Sequence, residues 1–244
     1  MRGLKGRTVE ISFCQTCGNR LKHARLTLPR NLMVADKWPV EFILLDYGSS
    51  DGLADWVRAL GNSMVRYFRY EHQGGFECSH AKNLAHRLGR GRVLCNLDID
   101  NLLHALTLPR LLRLGNREIA HLYSGRNIIR GIGPSRHEMA DGTYGRIAMT
   151  ASTFCELRGY DEQLREMGYQ DTDLLERATR AGMSVTRDGN PFATAIDHPK
   201  ENDWPAMYYR NRDRSRSAKR GPVNASGYGR GTVTALSGKR IELS

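Results

Sequence analysis

The chain has 244 residues, enough for one large hydrophobic core or a core with a small appendage. With 40% hydrophobic and 26% charged residues it is globular, and its run of apolar residues never reaches the roughly 18 that a membrane span requires. A net charge of +11 favours polyanionic partners: nucleic acid, anionic lipid headgroups or a diphosphate.

Five cysteines, an odd number, argue against a disulfide framework. Cys14 and Cys17 form a single C-x-x-C with no second pair to complete a zinc site. The start, MRGLKGR, is basic, but no apolar signal-peptide core follows it, so the expected compartment is the cytoplasm.

Strand and helix signals alternate along the first hundred residues. A strand is expected over 8–13, then a helix over 20–28 that Pro29 limits. Residues 40–45 are apolar on nearly every side, as buried parallel strands are. A polar turn (46–52) with a natural N-cap leads into a helix over 53–60, and a third strand covers 64–70. Ser79 opens a helix to Leu88, Gly89 and Gly91 stop it, and 93–97 is a fourth strand. Repeated β-α-β units of this length imply a parallel sheet covered by helices on both faces. Ligands of such sheets bind at the carboxyl ends of strands, where Asp46 and Asp98 fall.

Beyond a helix expected over 102–114, the Gly-rich residues 131–146 read as a loop over or beside a site. Helices are expected again over 150–157 and 171–181, the latter with Leu174, Leu175, Ala178 and Ala181 on one stripe. After about residue 210 the composition shifts to Arg, Ser, Gly and Asn. Arg210, Arg212, Arg214, Arg216, Lys219 and Arg220 there form either a solvated tail or a nucleic-acid contact.

The acidic residues give the chemistry. In Asp98-Ile99-Asp100, at the end of the fourth strand, alternation lets both carboxylates point one way, an arrangement suited to a hard divalent cation that also grips a diphosphate. A D-x-D standing alone is more often a solvated turn after a strand. Asp171 and Asp173 open a helix, where the helix dipole alone favours carboxylates. His198 follows in a polar loop.

In order, these segments resemble the inverting GT-A glycosyltransferases, the family-2-like and β-1,4-galactosyltransferase-like group. ISFCQTCGNRLKHARLTLPRNL (11–32) is similar to that group's first strand and N-R helix start, and EFILLDYGSSDG (41–52) to its D-D-G-S-x-D turn. SHAKNLAHRLGRGRVLCNLDIDN (79–101) resembles the A-R-N helix and D-x-D strand. RGYDEQLREMGYQDTDLLERATRAG (158–182) resembles the G-[FY]-D-E segment and the G-x-E-D-x-D acceptor motif. His198, in DHPKENDWP, resembles the late histidine of the metal site. The likeness covers about residues 8–205.

The resemblance implies a single α/β domain: a GT-A, Rossmann-like, mostly parallel sheet flanked by helices. The expected catalytic domain is 1–209, with a nucleotide-sugar half to 101 and an acceptor half from 102, followed by a basic tail over 210–244. It implies metal-dependent transfer of a hexose from a UDP sugar to a hydroxyl, with Asp171 as general base and inversion by direct displacement. Asp98, Asp100 and His198 would hold Mn²⁺ or Mg²⁺, and carboxylate plus imidazole suits Mn²⁺ somewhat better. Asp46, Lys82, Asn83 and Asp98 would contact the nucleotide, and Arg20 is either structural or phosphate-facing. Gln170 and Trp204 are expected to meet the acceptor, and Asp173 either does so or braces its helix. Trp204, Tyr208 and Tyr209, in a loop over 198–209, would close over donor or pack in the core.

Two departures stand out. Tyr47 replaces the second acid of the D-D turn, which weakens the preference for uracil, and Gln170 replaces the usual Glu. The acceptor is a glycan, a lipid-linked group or a modified nucleic-acid base. The competing readings are a nucleic-acid-binding protein with a silent GT-A-like core and a sugar nucleotidyltransferase.

Overall fold

The computed structural model describes residues 8–123, 128–129, 143–189, 194–196, 204–217 and 222–244. The first half is β1 (Ile11–Cys17), α1 (Leu21–Ala35), β2 (Val40–Tyr47), α2 (Leu53–Leu60), β3 (Val65–Tyr70), α3 (Cys78–Leu88) and β4 (Val93–Asn96). It continues with β5 (Asn101–Leu102), α4 (Thr107–Leu112), β6 (Glu118–Tyr123), β7 (Ile128–Ile129), β8 (Ile147–Thr150) and α5 (Ala151–Glu156). The last elements are α6 (Gln170–Arg180), β9 (Ser184–Gly189), β10 (Thr194–Ile196), α7 (Trp204–Arg216), β11 (Gly231–Ala235) and β12 (Arg240–Leu243).

One nine-stranded sheet, ordered β12-β11-β3-β2-β1-β4-β8-β6-β9, runs through the protein, and β5, β10 and β7 form a smaller one. The expected α/β architecture is present. Strands β3-β2-β1-β4 at the centre are parallel, and β8 and β11 on either side of them run antiparallel. Alternation along the central strands splits the core in two. Ile11, Phe13, Phe42 and Leu44 face the layer holding Leu28, Leu32, Leu108 and Leu111. Cys14, Ile43 and Leu45 face Leu84, Phe154, Tyr160 and Leu174. The chain winds outward from β1 through β2 to β3, then returns to β4 on the other side of β1. That reversal opens a crevice at the carboxyl ends of β1 and β4.

Three sequence expectations change. Pro29 does not end the first helix, which continues to Ala35. The proline forfeits only the bond to the Arg25 carbonyl, on the exposed side, while Leu28, Asn31, Leu32 and Ala35 are buried. Asn31 also donates to Asn101 O and accepts from Leu103 N. The turn after β2 caps α1 rather than α2: Asp51 Oδ2 accepts from Leu21 N at 2.8 Å, and α2 starts from a left-handed Gly52 with no side-chain cap.

The expected boundary at 209 falls within α7, and β11 and β12 belong to the main sheet. The arginines of α7 are tied down: Arg210 to Glu166, Arg212 to Asp213, Arg214 to Gln163 O and Arg216 to Glu176. Lys219 and Arg220 lie outside the described residues. Among those described, no helix is long and apolar enough to cross a membrane.

Candidate active site

β4 delivers the chain to Asp98 at the crevice. Asn96, at the strand's end, fixes the turn: its Nδ2 donates to Asp98 Oδ1 at 2.9 Å and to Gly145 O at 2.8 Å. Gly145 lies just before β8, whose antiparallel pairing with β4 brings it back over the same strand end. Opposite stands the first turn of α6, launched from left-handed Gly168 and Tyr169 and carrying Asp171. From α3, Lys82 reaches in between, its Nζ 2.7 Å from Asp171 Oδ1 and 5.1 Å from the centre of the Tyr160 ring. A Cβ on Gly145 would lie 2.7 Å from Asp98 Oδ2, 3.2 Å from Asp171 Oδ2 and 3.3 Å from Lys82 Nζ. The three groups therefore surround one small space that only glycine leaves open.

Burial and neighbouring charges shift the protonation of two of these groups, Asp98 and Lys82. Burial drives the Asp98 carboxyl upward; Lys82 opposes this, Asp171 and Asp100 add to it, and the result lies above the ordinary carboxylate value. Burial works against the charge on Lys82, but Asp171, Cys78 and Asp98 outweigh it, leaving the ammonium well above its usual value. Lys82 is therefore a fixed positive charge, with its side chain 4% exposed against 22% for Asp171.

Asp100 is half-buried in the turn after Asp98, its Oδ1 accepting from Asn101 Nδ2 at 2.8 Å. Asp98 and Asp100 offer oxygen only, a donor set that fits a hard divalent cation. The third expected ligand, His198, lies outside the described residues. Among the described residues, no three His, Cys, Asp or Glu side chains converge as a metal site.

Other expected contacts are inside the protein. Asp46 is fully buried: Oδ1 accepts from Ser49 N, and Oδ2 from the Tyr67 hydroxyl and from Arg69. It holds the 46–49 turn in place instead of facing a nucleotide. Asn83 is equally buried, bonded to both the N–H and the carbonyl of Tyr160 and to Glu162. Its role is to clamp α3 to the 158–164 segment, where Gly159 has φ +65° and a Cβ would come within 2.4 Å of Asn83 Oδ1.

Asp173 and Gln170 do not face the crevice either. Asp173 is 0% exposed, with Oδ2 accepting from Arg177 Nε at 2.8 Å and Oδ1 from the Ser215 hydroxyl at 2.6 Å. Of its two expected roles it fills the bracing one, and it fastens α7 to α6. Gln170 is 2% exposed and turns its amide toward Glu166 O at 3.2 Å. Arg20 is half-buried at the start of α1.

The loop expected over 198–209 is helical from Trp204, where α7 begins. Tyr208 packs edge-on to Tyr169, and Tyr209 lies under the Arg212 guanidinium. Tyr47 is 5% exposed within a cluster of Tyr70, His72, Phe76 and His80. His80 Nε2–H donates to the Arg230 carbonyl, so Nδ1 of the neutral ring accepts from the Tyr47 hydroxyl at 2.9 Å.

Sequence reasoning missed Gly145 and Arg146. Arg146 is fully buried behind the acidic turn, donating to Asn101 Oδ1 at 2.8 Å and Leu102 O at 3.1 Å. Burial lowers its pKa, while Cys95, Asp98 and Asp100 oppose the fall. Both residues lie at the edge of a Gly-rich stretch whose pattern carries no signal for them.

No protein-family model and no curated protein matches the chain. Solved structures do. It is similar to TarS of S. aureus, in complex with UDP-GlcNAc (TM-score 0.60, 13% identity), over 79% of this chain and 60% of that one. The mannosyltransferase PcManGT of Pyrobaculum calidifontis, in complex with GDP-Man and Mn²⁺, matches over 84% and 61% (TM-score 0.58, 16% identity). GalNAc-T7 with UDP, GalNAc and Mn²⁺ matches over 86% and 48% (TM-score 0.61, 15% identity).

The chain has a GT-A glycosyltransferase fold. It spans less than two thirds of each of these structures.

Substituting Gly145 with alanine tests whether the GT-A crevice depends on this opening. The added methyl must displace Asp98, Asp171 or Lys82, so any turnover that uses the three groups together is expected to fall by about a hundredfold. The melting temperature should fall by about 2–12 °C, because overpacking typically costs about 1–3 kcal/mol. Unchanged turnover would show that the three groups do not act together.

Proposed function

We propose that the chain is a metal-dependent, inverting glycosyltransferase moving a hexose from a UDP sugar to a hydroxyl acceptor. The observation carrying this reading is the convergence of Asp98, Lys82 and Asp171 around Gly145, at the carboxyl end of β4 and the reversal point of the sheet. On this reading the three groups stand between the departing diphosphate and the attacking hydroxyl.

Asp171 takes the acceptor proton as the oxygen attacks the anomeric carbon. It is part-exposed, and its second oxygen, Oδ2, is directed to the Gly145 side. Lys82 holds the other oxygen, fixing the carboxylate's direction. Asp98 and Asp100, with His198, would hold a divalent cation that offsets the charge on the leaving diphosphate. Single displacement from an α-linked donor gives a β-linked product. A glycan acceptor is favoured over nucleic acid, because the arginines of α7 are engaged within the protein.

A donor-hydrolysis screen across nucleotide sugars with Mn²⁺ is the direct test. UDP and Mn²⁺ together are expected to raise the melting temperature, and at about a hundred times Kd the gain is about 2.7 kcal/mol, or roughly 5–10 °C. Asp100→Ala should remove the metal-dependent part. No rise with any nucleotide and no hydrolysis would overturn the reading.

A further inference from the structure

The cations of α7 are all engaged, yet the chain carries a net charge of +11. Unengaged cations lie on the outer face of α1. Lys22, Arg25 and Arg30 in the helix and Lys37 just beyond it are exposed, and none forms an ion pair with a carboxylate among the described residues. The only acid in residues 21–37 is Asp36, past the helix end.

Two large apolar side chains stand between them. Leu26 is 38% exposed and Met33 is 79% exposed. Seven residues apart, they lie nearly in line along the helix, two turns from one another. At 3.6 residues per turn Arg25 flanks that line on one side and Arg30 and Lys37 on the other. The inner face of the same helix (Leu21, Ala24, Leu28, Leu32 and Ala35) belongs to the core, so the outer stripe is not needed for folding. An apolar ridge between two rows of cations matches an anionic lipid surface: the ridge enters the boundary between headgroups and acyl chains while the cations meet phosphates. A nucleic-acid backbone would use the cations but leave Leu26 and Met33 in water.

We infer that the outer face of α1 docks the protein on an anionic membrane surface, with Leu26 and Met33 inserted and Lys22, Arg25, Arg30 and Lys37 on lipid phosphates. The inference does not depend on the proposed transfer reaction. Because α1 begins at the carboxyl end of β1, the sheet edge that holds Asp98, docking would keep the crevice beside the headgroups.

Co-sedimentation of the full chain with vesicles is the test. Binding is expected to phosphatidylcholine vesicles containing phosphatidylglycerol, to be absent with phosphatidylcholine alone, and to weaken with salt. Replacing Arg25 and Arg30 with glutamine should weaken it about thirtyfold, at roughly fivefold per cation. Leu26→Gln with Met33→Gln should weaken it with no loss of melting temperature, and Arg210→Gln with Arg212→Gln should leave it unchanged. No binding to the anionic vesicles, or binding that survives the Leu26 and Met33 changes, overturns the inference. So does tighter binding to DNA than to vesicles that only the Arg25 and Arg30 changes reduce. Donor hydrolysis measured without vesicles should be the same in all these variants, so failure here leaves the proposed reaction standing.

Discussion

With Asp171 in its proposed role as base, Asp171→Asn is expected to lower the rate of the proposed sugar transfer by about 10²–10⁴-fold while nucleotide binding persists. That is the range contributed by a positioned general base. The reason for choosing asparagine is local. Lys82 is buried and donates to Asp171 Oδ1, and alanine would strand that ammonium. Asparagine keeps an oxygen for it, and Asp98 remains close enough to offset its charge. The variant should therefore fold and still show the thermal shift with UDP and Mn²⁺. Single-turnover kinetics with a saturating donor separates the outcomes. A loss confined to nucleotide binding would remove Asp171 from the role of base, and full activity would favour a nucleotidyltransferase, which needs no base at this position.

The second expected result concerns Asp173, two residues further along the same helix. Asp173→Ala should cost about 3–5 kcal/mol, the usual penalty for removing one partner of a buried ion pair. For a chain of this size that is roughly a 10 °C fall in melting temperature. The carboxylate joins Arg177 on α6 to Ser215 on α7 and has no exposed surface. Its removal leaves Arg177 with only the carbonyls of Leu157 and Gly159. Donor hydrolysis measured well below the new melting temperature should be close to that of the native chain. Adjacent carboxylates of one helical turn are thus separable: one alters rate and the other alters stability. A thermal scan showing no change would contradict the bracing role.

Much of the central sheet was legible in the sequence, for a physical reason. Strands β2 and β4 are buried along their whole length, so they read as near-continuous apolar runs, and Gly89 and Gly91 mark the stop between α3 and β4. The later elements lack such signals. Helix α7 reads WPAMYYRNRDRSR, with no clear apolar stripe, and it is held by side-chain bonds such as Ser215 to Asp173 and Asn211 to Gly168 O. Strands β11 and β12 are short and lie at the sheet's margin, where alternate positions stay accessible. By pattern alone, most of α7 and both strands therefore read as a tail.

The site was legible in part. The resemblance picks out Asp98, Lys82 and Asp171, which meet, although Lys82 is expected on the nucleotide and pairs with Asp171 instead. Strand-end position and the resemblance also pick out Asp46, and the resemblance Asn83, because a sequence does not show that Tyr67, Arg69, Tyr160 and Glu162 consume their bonding capacity. Gly145 acts by having no side chain, and nothing in the surrounding sequence distinguishes it from its neighbours.

The pairing of β3 with β11 has a kinetic consequence. Val233 lies opposite Tyr70, so a strand made early has as its neighbour one made near the end of the described chain. Closing so long a loop is slow, and until it closes the margin of β3 offers unpaired amides and carbonyls to any other chain. Nascent and refolding molecules should therefore self-associate through that margin, and slower synthesis at low temperature should improve the recovery of folded protein.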